Sequence, residues 1–102
     1  MSKSSVKKGV AMCRCLKILV NVENWQERLS QAVQKRAQKD SLEGQLQLVA
    51  HNQLKIVVCG REELVDEFID YLYDLFVTIG ADVEQLEPFI KERDYRGIFR
   101  VI

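Results

Sequence analysis

Histidine and proline each occur once in this chain of 102 residues, cysteine three times and glycine five times, and each scarcity excludes something. The lone His51 has no Cys, Asp or Glu pattern around it that would mark a metal ligand or a base, and no Ser–His–Asp order is readable. The few glycines form no phosphate-cradling loop of the Walker kind. Cys13, Cys15 and Cys59 are an odd number, which fits no complete internal disulfide framework; Cys15 and Cys59 read instead as small buried hydrophobes of two strands. No apolar run approaches the ~20 residues a membrane span needs. Formal net charge is zero, so no global field favours nucleic acid or a membrane surface. The opening "MSKSSVKKGVAM" has basic residues with no long apolar stretch behind them, unlike a secretory signal, and the cytoplasm is the expected location.

What is present is an ordinary globular composition, 47% hydrophobic and 29% charged, with patterns of clear period. Residues 1–11 read as a flexible N-terminal tail and 12–102 as a single domain. "CLKILVNV" (Cys15–Val22) is aliphatic and β-branched, a buried strand. In "NWQERLSQAVQKRAQK", Asn24 and Glu27 have the spacing of a capping box. Trp25, Leu29, Ala32, Val33 and Ala37 form an apolar helical face opposite Arg28, Gln31, Lys35 and Lys39. "QLQLVAH" and "LKIVVCG" predict a hairpin turning at Asn52–Gln53. A second helix follows Gly60, with Val65, Phe68, Ile69, Leu72 and Phe76 as its apolar stripe and Gly80 at its end. "DVEQLEPFIKE" predicts an edge strand bent near the single proline, Pro88, and "GIFRVI" a last strand. The expected architecture is α+β: a ferredoxin-like βαββαβ sandwich, an antiparallel sheet with two helices on one face.

From Leu16 onward the chain resembles the acylphosphatase family. "VVCGREELVDEFIDYL" is similar to that family's third strand, glycine and second helix, and "DYRGIFRVI" to its closing strand. The resemblance implies a phosphate-binding loop after the first strand, of the form Gly-Arg-Val-Gln-Gly-Val-x-Phe-Arg. There, backbone N–H groups and an arginine hold the anion, and an asparagine on the second strand orients the attacking water. Here the corresponding stretch reads "VENWQERLS", without glycine. A gapless match sets Ser30 at the arginine position and Leu48 at the asparagine position. Arg28 and Asn52 are the candidate substitutes, although a helix arginine is ordinarily solvated and turn chemistry alone explains Asn52.

The expectation is therefore an acylphosphatase-like domain with a degenerate active site, a non-catalytic binding, regulatory or structural module. The alternative is an acylphosphatase that hydrolyses the carboxyl-phosphate bonds of acyl phosphates. No cofactor or metal is expected: "MCRC" resembles the Met-x-Cys-x-x-Cys loop of soft-metal chaperones, but precedes the strand and is one residue short. The partner is expected to be a protein or a small anionic ligand. It is not nucleic acid, because the central strands carry no aromatics for base stacking. One feature stands outside this chemistry. Glu62, Glu63, Asp66, Glu67, Asp70 and Asp74 crowd the second helix, with Arg61 as the one basic neighbour in sequence. Pairing with Arg28, Lys35, Arg36 and Lys39 of the first helix is the expected compensation; a basic partner is the other explanation.

Overall fold

The computed structural model describes residues 13–88 and 95–102. The expected tail at 1–11 and the part of the "DVEQLEPFIKE" strand beyond Pro88 lie outside the described residues. Seven elements follow one another: β1 (Cys13–Asn21), α1 (Glu27–Lys39), β2 (Glu43–Ala50), β3 (Gln53–Arg61), α2 (Glu62–Ile79), β4 (Asp82–Pro88) and β5 (Phe99–Val101). They build one sheet in the order β4-β1-β3-β2-β5. The sheet is mixed, not wholly antiparallel. β1 pairs antiparallel with β3 and β4, and β2 antiparallel with β3, but β5 lies parallel to β2. β5 is the last strand that the sequence predicts, a fifth beyond the βαββαβ unit; its parallel pairing is what departs from the expectation.

The period-two alternation of β1 and β3 sends Ile18, Val20, Leu54, Ile56 and Val58 to the helix side, where they are buried. The period of α2 returns Val65, Phe68, Ile69, Leu72 and Phe76 onto them, all buried as the sequence predicts, while α1 contributes Val33 and Ala37. Leu42, Leu46 and Phe99 complete this single core, so both helices lie on one face. Full burial of such side chains contributes roughly 1.5–3 kcal/mol each. Gly80 ends α2 in the left-handed conformation, φ 74°, again as expected.

Gly44, on β2, answers a different need. Its φ is 144°, and a Cβ there would stand 1.9 Å from the Val57 carbonyl oxygen on β3. Glycine is what lets these two backbones approach.

Three local expectations are corrected. First, α1 begins at Glu27, not after Asn24. Asn24 sits in the left-handed region (φ 58°), and the residue capping the helix is Gln26, with no side-chain cap bond. Ala32 is also exposed, because the helix buries a narrower face than its hydrophobic residues suggest. Second, the hairpin turns at His51–Asn52, Gln53 already belonging to β3; an irregularity between Leu48 and Ala50 shifts the register. Third, Cys15 and Cys59 are not separate small hydrophobes. The β1–β3 register sets them directly opposite, Cα atoms 4.1 Å apart, and they form a disulfide on the sheet face away from the helices, leaving Cys13 free and exposed. Tyr95 and Val57 are buried beside that bond.

Candidate functional site

A strand leading into a helix N-terminus is a natural anion site, because the first turn leaves backbone N–H groups without intrahelical partners. In this chain the segment is Val22–Gln26, between β1 and α1. The β2–β3 hairpin closes over it: the Val22 N–H donates to the Asn52 carbonyl at 3.0 Å. The two loops form an open hollow lined by Glu23, Asn24, Trp25, His51 and Asn52. An adjoining hollow shares Glu23, Asn24 and Asn52 and is bounded by Gly80 and Asp82.

The sequence candidates divide here. Asn52 and His51 reach the hollow, although turn geometry accounts for both positions. Arg28 does not line it. It is exposed on α1, and its Nε donates to Gln26 Oε1 at 2.7 Å. Leu48 is 44% exposed on β2. Ser30 is 5% exposed, the one buried polar side chain among the described residues, and its Oγ accepts a 2.7 Å hydrogen bond from the Trp25 indole N–H. Trp25 is half-buried and packs against the core. The sequence offered both residues, five positions apart, but as a core face and a lost arginine. The bond between them arises because the helix starts later than its capping pattern suggests, which leaves Trp25 in the loop and free to fold back over the first turn.

The electrostatics of the hollow are acidic or neutral. Glu23 and, in the adjoining hollow, Asp82 present carboxylates, and Glu27 occupies the first turn of α1, where an acid complements the helix dipole. Among the described residues no group of three or more His, Cys, Asp or Glu side chains could hold a metal. The arrangement provides hydrogen-bonding amides at Asn24 and Asn52 and an aromatic wall at Trp25, and among the described residues no Lys or Arg lines either hollow.

The acidic helix is paired differently from expectation. Arg14, on β1, bridges Glu62 at 2.5 Å and Asp66 at 2.6 Å, and Arg61 meets Glu63 at 3.0 Å. No ion pair among the described residues links α1 to α2. Arg36 is the α1 cation nearest the stripe, but it pairs with Asp40 of its own helix at 3.2 Å and lies 4.9 Å from the Tyr71 ring centre.

This order and packing define an acylphosphatase-like fold. An acylphosphatase from Coxiella burnetii superposes with a TM-score of 0.70 at 20% identity, over 96% of this chain and all of that one. Bacillus subtilis acylphosphatase gives 0.65 at 17% identity, over 89% of this chain and 99% of that one. The fold also occurs in the BLUF protein BlrB in its dark state, with a TM-score of 0.61 at 16% identity over 90% of this chain and 73% of that one. No family model matches the chain, and no curated protein matches it in sequence. What these similarities carry is the architecture; function has to be argued from the residues.

Proposed function

We propose that this acylphosphatase-like domain has a degenerate active site and acts as a non-catalytic binding, regulatory or structural module. The observation that carries the proposal is at Ser30. A phosphoryl group bound at the start of α1 would need a cation there, since charge-assisted hydrogen bonds are what offset desolvation of the anion. The side chain at the resembled arginine position is a buried serine bonded to Trp25. Arg28 is engaged with Gln26, outside the hollow, and Glu23 adds a carboxylate that would repel a phosphate. One observation favours the alternative, hydrolysis of acyl phosphates: Asn52 stands over the loop, tied to Val22, where an amide could orient a water.

Hydrolysis of benzoyl phosphate by the purified protein separates the two. The expected rate is that of buffer. A rate clearly above buffer, abolished in Arg28→Ala or Asn52→Ala, would establish the enzyme and end the proposal.

A further inference from the structure

Two helices cannot roof five strands. α2 packs over β1 and β3, while β4 forms one edge of the sheet, so the helix-side residues of β4 are covered on one side only. Leu86 is 40% exposed there, and Tyr73 of α2, across from it, is 39% exposed. With Ile18, Ile69, Phe76 and Val83 they form a shallow apolar depression that has no room for a water molecule. Val77, one turn beyond Tyr73, is 80% exposed. Apolar side chains standing together in water and rimmed by charge mark an interaction site.

The rim is acidic. Asp70, Tyr73, Asp74 and Val77 recur at i, i+3, i+4 and i+7, so they share one side of α2. Arg14 and Arg61 neutralise Glu62, Asp66 and Glu63, but no ion pair among the described residues reaches Glu67, Asp70 or Asp74. The helix has no basic residue in its last turn to offset them. On β4 the acids are partnered, Glu87 by Lys17 at 3.0 Å and Glu84 by the Gln53 amide at 3.0 Å, and the strand ends in Pro88. Natural edges are blunted with charge and proline. Acids discourage pairing with a second copy of this chain, whose own flank is acidic, and do not discourage a basic strand or helix.

We propose that the α2–β4 flank docks a basic, amphipathic segment of another protein, with its apolar side chains laid against the exposed Tyr73, Val77 and Leu86 and its Lys or Arg groups on Asp70 and Asp74. The proposal rests on the binding-module reading and names its partner. The two fail separately: benzoyl phosphate turnover would end the non-catalytic reading without touching this surface, and loss of peptide binding would leave that assay unchanged.

The probe is a fluorescein-labelled 14-residue amphipathic Lys–Leu peptide, with a scrambled peptide of the same composition as control. The whole chain is titrated by anisotropy and mapped by amide NMR shifts. The expected result is saturable binding that weakens with salt, with shifts confined to the outer side of α2 and to β4. Val77→Asp should weaken binding at least tenfold with an unchanged circular dichroism spectrum, because that side chain is in solvent. The double variant Asp70→Asn, Asp74→Asn should bind more weakly and lose much of the salt dependence. Equal binding of the scrambled peptide, unaltered affinity of Val77→Asp, or shifts elsewhere would overturn the proposal. So would self-association of the free protein through this flank, or peptide binding that appears only after residues 1–12 are removed, since each assigns the flank to another occupant.

Discussion

The two helices begin at opposite ends of β1 and are held there by opposite means. α2 follows β3 directly. Its first turn is clamped by Arg14, and its apolar stripe goes straight down onto the two central strands. α1 starts after a loop that needs a left-handed Asn24, and its first turn is closed by one indole-to-hydroxyl hydrogen bond. Neither helix has a side-chain N-cap. The residues on which the sequence resemblance to acylphosphatases is drawn include those that pack α2 onto the central strands. The end where acylphosphatase chemistry would reside is the end built from a few specific contacts.

The largest expected effect breaks the α2 side. Phe68 is fully buried, its ring centre 6.0 Å from that of Phe99 and 6.2 Å from that of Tyr71. Phe68→Ala should cost about 3–5 kcal/mol in urea unfolding. A loss under about 1 kcal/mol would mean that α2 does not anchor the core. Next is the bridge between β1 and β3, on the other face of the strands that α2 covers, which closes a sequence separation of 44 residues. Replacing Cys15 and Cys59 together by Ala should lower stability by about 2–4 kcal/mol, and dithiothreitol should destabilise the native protein but not the variant. Equal stability with and without reductant would remove the disulfide from the comparison. The smallest effect sharpens the α1 side. Ser30→Ala deletes the acceptor of the Trp25 N–H and should cost about 1–2 kcal/mol, with a red shift of tryptophan emission as the indole loosens. An unchanged emission spectrum would show that packing alone seats Trp25.

Much of the fold was legible because its signals are local. The alternation of "LKIVVCG", the stripe from Val65 to Phe76, and Gly80 each report on their own element through the period of a strand or helix or the freedom of a glycine. The acylphosphatase resemblance, drawn on "VVCGREELVDEFIDYL", is matched by the fold of the solved acylphosphatases. The site was less legible. Asn24 and Glu27 have the spacing of a capping box, and nothing nearby in sequence says that the helix will instead start at Glu27 behind Gln26. Arg28 is two residues from Ser30, about 200° of helix rotation, so where one is buried the other faces water.

By itself, then, the sequence determined two amphipathic helices, a hairpin, an edge strand with a polar face and an acidic stripe, since each depends on spacings of two to four residues. Tertiary structure decided the rest. Register set Cys15 against Cys59 across 44 residues, and β5 came to lie parallel to β2 rather than antiparallel. The cation for Glu62 and Asp66 came from Arg14 on a distant strand, not from α1. These are contacts between residues remote along the chain. Their partners are chosen by which strands become neighbours and in what register, and no periodicity within a single segment encodes that choice.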